Sequence, residues 1–303
     1  MHIEIPERDV DILAGVTDLH VHQHPDIFER TFDEASFALQ ARTVGYRGIL
    51  FKSHTSSNVE RMHYVRKIAP GIEVFGGIVL NRTVGGINPE AVETALALGA
   101  RQVWMPTIHA AHHIEVLGSP SLFPGSRKKP SIQRNTNQFQ GLTIRREDGT
   151  LDPALLEVID LVAQSNAILG TGHLSVEEIF TVVSLARERG VERVLVTHPE
   201  YIVTDLSTDD QIQLTKLGAY IEHCFYPCMP CARRYDPHMM AKSIQRVGAS
   251  RCVMSSDFGQ LFNPHPIEGM RHFIHVMQIC GIPDQDIEAM TKSNPAQLLG
   301  LDA

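Results

Sequence analysis

The sequence lacks several features that would assign it to a familiar class. It has no apolar run close to the roughly 20 residues of a membrane-spanning helix. Residues 1–6 combine neither a basic start nor an apolar core, so we expect no export signal and a cytoplasmic protein. Five cysteines, an odd number, argue against a disulfide framework. Positive charge is also scarce: the formal net charge is −8, whereas nucleic acid binding requires a basic face. We therefore expect a small-molecule substrate, with neither a nucleic acid nor a membrane as partner.

Strand-like and helix-like segments alternate along the chain. With 43% hydrophobic and 20% charged residues, the chain can bury a full globular core. Eight apolar strand-like runs, ending at residues 22, 51, 80, 107, 173, 198, 223 and 257, each precede a segment with helical spacing. This order predicts an α/β fold with a parallel sheet, and at this length a closed (β/α)8 TIM barrel in one domain, residues 1–303. An open doubly wound sheet is the main rival, but the glycine-rich phosphate loop it needs is missing after the first strand.

The alternation is interrupted once, by a long loop at residues 108–150, after the fourth predicted strand. This segment contains three histidines, three prolines and the basic run at 127–129. Connections of this length are usually lids or binding loops. We expect the loop to lie over the mouth of the barrel, at the carboxyl ends of the strands, with a short hairpin around 141–144.

The first predicted strand ends with two histidines, His20 and His22. Residues two apart on a strand point to the same face, so both imidazoles can bind one metal ion. A pair without metal is the alternative. Other polar residues also end predicted strands: Lys52, Asn81, Thr107, His173, His198, Glu222 and Asp257. Because active sites of such barrels lie at the carboxyl ends of the strands, we expect these side chains to converge.

This pattern resembles the amidohydrolase superfamily of metal-dependent hydrolases. The matching residues are His20, His22, His173, His198, Asp257 and the closing segment 291–301. The resemblance implies a (β/α)8 barrel, one or two divalent metal ions and hydrolysis at a carbonyl or phosphoryl centre, with His173 and His198 on the second metal. The chain is similar to the compact members, because few residues precede the first strand to build the β-sandwich of many relatives.

Lys52 marks a departure from that superfamily. Binuclear members commonly carry a carboxylated lysine or a glutamate after the fourth strand, but here that strand ends in Met105-Pro106-Thr107. A carboxylated Lys52, after the neighbouring second strand, could reach metals held by His20 and His22. The alternative is a cationic Lys52 that binds a substrate anion or pairs with Asp257, in a mononuclear site.

The chemistry assigns roles to the remaining residues. A divalent metal, with zinc favoured and manganese, iron or nickel as alternatives, lowers the pKa of bound water to about 7. Asp257 can accept that proton and pass it to the leaving group. Arg82 is a predicted substrate contact, because guanidinium matches carboxylates and phosphates, and His54 is another.

The resulting prediction is a metal-dependent hydrolase of an amide, cyclic amide, lactone or other ester of a small anionic molecule. A non-catalytic barrel that binds a metal or small ligand, and a deaminase or decarboxylase on the same scaffold, remain alternatives. The oligomeric state, including a homo-oligomer, stays open.

Two further groups have weaker signals. Cys224, Cys228 and Cys231 have the C-x3-C-x2-C spacing of radical S-adenosylmethionine enzymes, where the motif follows the first strand rather than the seventh. We expect reduced loop cysteines, with an iron–sulfur cluster or a zinc site as weaker alternatives. His109, His112 and His113 of the long loop are interpreted as surface residues, with lid contacts as the alternative.

Overall fold

Eight parallel strands form the centre of the molecule. A computed structural model describes residues 12–118, 140–232 and 234–301. The strands are β1 Thr17–Val21, β2 Gly48–Phe51, β3 in two halves, Glu73–Phe75 and Gly77–Val79, β4 Gln102–Trp104, β5 Ile168–Gly170, β6 Arg193–Thr197, β7 Tyr220–Cys224 and β8 Cys252–Ser255. Each strand pairs in parallel with the next along the chain, and the ladder breaks only between the halves of β3. The predicted (β/α)8 barrel is confirmed.

Backbone hydrogen bonds at the carboxyl ends of β1 and β8 close the barrel. Asp257 N donates to His20 O at 2.9 Å, and His22 N donates to Phe258 O at 2.8 Å. Gly259 lies against this closing seam with φ at +134°, and a Cβ there would overlap the carbonyl oxygen of His22. Only glycine combines that backbone conformation with such a close approach. The seam therefore holds the ends of β1 and β8 side by side.

The break in β3 lies at Gly76, where the side chain of Asn58 replaces part of the ladder. Asn58 Oδ1 accepts from Gly77 N at 2.8 Å, and Asn58 Nδ2 donates to Phe51 O at 2.9 Å. A Cβ at Gly76 would approach Asn58 Oδ1 to 2.5 Å, so a side chain there would displace the amide. The buried Asn58 thus connects β2 to the second half of β3.

Helices follow the strands and cover the barrel. They are α1 Glu34–Thr43, α2 Val59–Ile68, α3 Pro89–Ala97, α4 Ala111–Leu117, α5 Pro153–Ser165, α6 Val176–Glu188, α7 Thr208–Lys216, α8 Pro237–Val247, α9 Pro266–Ile279, α10 Asp284–Glu288 and α11 Asn294–Leu299. Short 3-10 turns span Arg82–Val84, Tyr226–Cys228 and Ala249–Arg251. The predicted capping box of Ser175 and Glu178 begins α6. None of the helices in the described ranges is both long and apolar enough to cross a membrane.

The predicted final helix, 283–300, is instead three pieces. A π-helical turn, Ala289–Ser293, separates α10 from α11. Pro295 has no N–H to continue the helical ladder, and Thr291 Oγ1 donates to Ile287 O at 2.7 Å, which loosens the preceding turn. Periodicity does not report such local competition for hydrogen bonds.

The apolar core has two layers. One lies between the strands and the surrounding helices. The other fills the barrel and contains Leu19, Leu50, Phe75, Val79, Trp104, Ile168, Leu195, Tyr220, Val253, Leu298 and Leu299. The last two belong to α11, which contacts the start of β7, since Tyr220 Oη lies 3.3 Å from Gln297 Oε1. Apolar residues thus close the amino end of the barrel, and polar residues remain for the mouth.

The loop predicted at 108–150 is described except for residues 119–139, so the basic run at 127–129 lies outside the described residues. Its first part contains α4, and Leu142 pairs in parallel with Ala110. The hairpin predicted around 141–144 forms later, where Arg145 pairs in antiparallel fashion with Leu151. Gly149, with φ at +81°, supplies the turn.

Asn58→Ala tests the bridge across the break in β3. The substitution leaves Gly77 N–H and Phe51 C=O buried without a partner, so we expect the free energy of unfolding to fall by about 2–4 kcal/mol. Asn88→Ala is the matched control. Asn88 Oδ1 accepts from Ala91 N at 3.3 Å and caps α3, and its loss should cost about 1 kcal/mol. Urea denaturation of the metal-free proteins measures both, and an equal loss in the two variants would contradict the bridge.

Candidate functional site

A polar pocket occupies the mouth of the barrel. Its lining residues are His20, His22, Arg30, Lys52, His54, His173, His198, Tyr201, Tyr226, Asp257 and Gln260. The lining includes each predicted metal ligand and His54. Six of the nine strand-end side chains expected to converge therefore line one pocket, although the chain carries them up to 237 positions apart, and Asn81, Thr107 and Glu222 are not in the lining.

Three ligand atoms meet at the closing seam. His20 Nε2 and His22 Nε2 each lie 3.2 Å from Asp257 Oδ1. His22 Nδ1 donates to Lys52 O at 2.9 Å, and His20 Nδ1 lies 3.3 Å from Glu222 Oε2. Metal-binding histidines typically use their second nitrogen in this way. Because His22 Nδ1 carries the proton, His22 Nε2 is an acceptor that faces a carboxylate oxygen, and this donor set fits a cation between them.

His173 and His198 form a second pair, after β5 and β6. Their Nε2 atoms lie 3.2 Å apart. His173 Nδ1 lies 2.7 Å from His113 Nδ1, and His198 Nδ1 has no hydrogen-bond partner among the described residues. Two buried imidazole nitrogens that face each other suit a second divalent ion.

Lys52 lies beside the first group of ligands. Its Nζ is 3.0 Å from His20 Nε2 and 5.4 Å from the centre of the Trp104 ring. Burial lowers the pKa of the Lys52 ammonium. The side chain therefore reaches the candidate metal ligands from the neighbouring strand, as a bridging carbamate would require.

Burial also controls ionisation of the ligands, because it disfavours charge. It lowers the pKa of His20 to about 3 and lowers that of His22 well below its usual value. It raises the pKa of Glu222 to about 7 and also raises that of Asp257. The histidines are thus neutral at neutral pH, the form that binds metals, and a bound cation would favour ionised Asp257.

Strained backbone directs some of these side chains. His198 and Asp257 have left-handed conformations, with φ of +28° and +55°. Residues other than glycine rarely adopt this region, and such strain is common at functional sites. Gly172, with φ at +61°, passes so close to Met105 that a Cβ would overlap its carbonyl oxygen, and this approach sets the position of His173.

The two predicted substrate contacts lie in different positions relative to the pocket. His54 lines the pocket, and its ring stacks on that of His22 at 4.7 Å. Arg82 does not line the pocket in the part of the chain that the structure describes. Asn81 occupies the end of β3 instead, where its Nδ2 donates to Thr107 Oγ1 at 2.8 Å. Arg82 begins the 3-10 turn that follows, and its contact with a substrate stays a prediction.

Several site residues were missed from the sequence. Arg30, Tyr201, Tyr226 and Gln260 line the pocket from loops beyond the strand ends, where periodicity gives no signal. The interpretation of His113 as a surface residue is wrong, because its side chain is buried against His173. The described part of the 108–150 loop therefore reaches the site.

Cys224 offers a competing ligand. His20, Cys224 and Asp257 have ligand atoms within 4.8 Å of one another. However, Cys224 Sγ lies 3.8 Å from His20 Nδ1, the nitrogen that faces Glu222, whereas Asp257 lies at Nε2. Burial raises the pKa of the Cys224 thiol well above its usual value, which disfavours the thiolate. The geometry thus favours His22 over Cys224. All five cysteines are free thiols.

Comparison with protein families matches a family model to most of the chain. The model of DUF6282, described as a family of unknown function, matches residues 15–222, which is more than half of the chain. A comparison with curated proteins gives no match.

Solved structures share the fold. The phosphotriesterase homology protein from Escherichia coli, complexed with phosphate in its active site, has 17% identity and a TM-score of 0.56 over 94% of this chain and 99% of its own. An amidohydrolase from Pseudomonas aeruginosa has 10% identity and a TM-score of 0.59, over 96% and 97%. A 2,6-dihydroxybenzoate decarboxylase from Rhizobium has 11% identity and a TM-score of 0.53, over 96% and 100%. The chain therefore belongs to DUF6282, a family of unknown function, and its barrel has the fold of the amidohydrolase superfamily.

Proposed function

We propose that this protein is a metal-dependent hydrolase that acts on an amide, cyclic amide, lactone or other ester of a small anionic molecule. The observation that carries the proposal is the approach of His20 Nε2 and His22 Nε2 to Asp257 Oδ1, at 3.2 Å each. Acceptor atoms at this separation repel one another unless a cation or proton lies between them. A buried group of this kind at the mouth of a barrel suits metal-assisted hydrolysis.

The cofactor that we propose is one or two divalent ions, with zinc favoured and manganese, iron or nickel as alternatives. His20, His22 and Asp257 would hold the first, and His173 with His198 the second. When bound, the metal supplies Lewis acidity and makes hydroxide available from water at neutral pH.

The side chains around the ligands supply acid–base groups. Asp257, with about 10% of its side chain exposed, can accept a proton from the attacking water and deliver it to the leaving group. Burial raises the pKa of the Tyr201 and Tyr226 hydroxyls, which keeps them protonated. Each tyrosine can therefore donate a hydrogen bond to a substrate oxygen that gains negative charge.

We further propose that Lys52 is carboxylated. Its lowered pKa favours the neutral amine, the form that adds carbon dioxide, loses a proton and becomes a carbamate. The carbamate would then bridge the two metal positions. The alternative is an unmodified Lys52 beside a single metal.

Decarboxylation is a second candidate reaction. The raised pKa of Asp257 suits a group that donates a proton to a carbon which has lost carbon dioxide. A screen of amides, lactones, esters and carboxylic acids, with release of carbon dioxide measured in parallel, separates the two reactions.

The first test concerns the ligand set. We expect His22→Asn to lose most of the bound zinc, and Cys224→Ser to retain it, because Cys224 faces the other nitrogen of His20. Elemental analysis of proteins loaded with zinc and then desalted measures both. Retention by His22→Asn together with loss by Cys224→Ser would assign the metal to the cysteine instead.

The second test concerns Lys52. Lys52→Ala should bind one metal equivalent fewer than the unsubstituted protein, because the bridge is lost, and added propionate should restore part of the binding. Exposed Lys67→Ala is the control and should keep full metal. An unchanged metal content in Lys52→Ala would refute the bridging carbamate.

The third test concerns Asp257. Asp257→Asn keeps the shape and one oxygen ligand but cannot take a proton, so turnover of a substrate found in the screen should fall by about 100-fold or more, with the metal retained. The exposed Asp148→Asn serves as the control. Near-normal turnover of metal-loaded Asp257→Asn would transfer the proton step to another residue.

A further inference from the structure

Arg30 is a buried cation in the wall of the pocket that no step above has used. We propose that Arg30 binds an oxyanion group of the substrate, a carboxylate or a phosphate, and so sets the specificity of the site for anionic molecules. The inference rests on the proposed function, since it describes the end of the substrate that does not react. Arg82, the arginine expected in this role from the sequence, does not line the pocket in the described ranges.

The backbone around Arg30 is fixed to the closing seam of the barrel. Arg30 pairs in antiparallel fashion with Gln260, and Thr31 N donates to Gly259 O at 3.1 Å. Arg30 N also donates to His24 Nε2 at 3.1 Å. The same seam positions the metal-binding group, so the guanidinium lies at a set place relative to the proposed ligands. A residue that orients a substrate requires a backbone held in a fixed position.

The contacts of the guanidinium leave one edge unused. Arg30 Nε and Nη2 both reach Asp26 Oδ2, at 2.8 and 2.7 Å, and the Phe28 ring lies 5.6 Å from the guanidinium carbon. Among the described residues, Nη1 has no hydrogen-bond partner, whereas Asp26 and Phe28 do not line the pocket. Asp26 and Phe28 therefore contact the guanidinium on the side away from the pocket. The remaining Nη1 and Nη2 hydrogens form the fork that binds a carboxylate or phosphate in two places.

The burial of this pair is better explained by a function than by a gain in stability. The side chains of Arg30 and Asp26 are only 3% and 1% exposed. Burying an ion pair costs more desolvation than apolar residues of similar size, and it seldom adds net stability. An oxyanion of the substrate at the Nη1 and Nη2 edge would pair with the guanidinium, which Asp26 holds in a fixed orientation.

Binding of simple anions tests the proposal without the reaction. Glutarate and inorganic phosphate are titrated into the metal-free 303-residue chain, with saturation-transfer NMR for glutarate and phosphorus line widths for phosphate. Because a two-point charge-assisted contact is lost, we expect Arg30→Met to weaken binding of both anions by about tenfold or more. The matched control is Arg246→Met on helix α8, where the arginine side chain is exposed and pairs with Asp209, and it should bind as the unsubstituted protein does.

A neutral probe separates recognition from a structural role. Glutaramide has the shape of glutarate without its charge. If Arg30 recognises the anion, the unsubstituted protein prefers glutarate and Arg30→Met loses that preference while still binding glutaramide. A residue that only supports the loop would change both affinities together. If Arg30→Met does not fold, Arg30→Lys keeps the charge without the fork, and its glutarate affinity should fall at least about threefold.

The outcomes distinguish this proposal from the function above. Absence of anion binding to the unsubstituted protein, or equal binding by Arg30→Met, overturns the role of Arg30. Zinc uptake, measured by loading separate samples of the same variants with zinc and then desalting them, reports on the hydrolase proposal alone. Anion binding that depends on Arg30 in a protein that takes up no zinc would therefore support the anion site and refute the metal site.

Discussion

Closure of the barrel between β1 and β8 is the constraint on which the rest of the structure depends. The two backbone hydrogen bonds of the seam, from Asp257 to His20 and from His22 to Phe258, bring the ligand-bearing ends together. Asp18 also connects the ends of β1 and β8, because its Oδ1 accepts hydrogen bonds from both His20 N and Ser256 N at 3.1 Å. Residues separated by more than 230 positions thus share one hydrogen-bonded unit. The contacts that close the barrel therefore also bring the residues of the candidate metal site together.

The two ends of the barrel differ sharply in polarity, and this difference explains the ionisation of the site. Apolar side chains of the barrel interior and α11 fill one end, so the groups at the mouth lie on an apolar floor. Desolvation then keeps the imidazoles of His20 and His22 neutral, so that their lone pairs are available to a metal ion. The lone pairs of these neutral imidazole nitrogens face a carboxylate oxygen, and a divalent ion between them would be stabilised by both.

The segment inserted after β4 is part of the site as well as an addition to the barrel. Its helix α4 places His113 Nδ1 2.7 Å from His173 Nδ1. Beside a metal-binding histidine, a carboxylate or carbonyl oxygen is more usual at that position. Loops after β1 supply Arg30 in a similar way. The strands thus determine the proposed chemistry, while the connections determine what surrounds it, as is general for this fold.

Local patterns in the sequence were enough to predict the eight-stranded barrel, most helix starts and the residues at the strand ends, including His20, His22, Lys52 and Asp257. Hydrophobic periodicity and capping depend on neighbours within a few residues, and parallel strands present their ends at one mouth. Only the tertiary structure decided which arginine reaches the pocket, that His113 is buried and that Asn58 bridges a broken strand. Those outcomes depend on the paths of loops and on contacts between distant segments, for which a one-dimensional pattern has no signal.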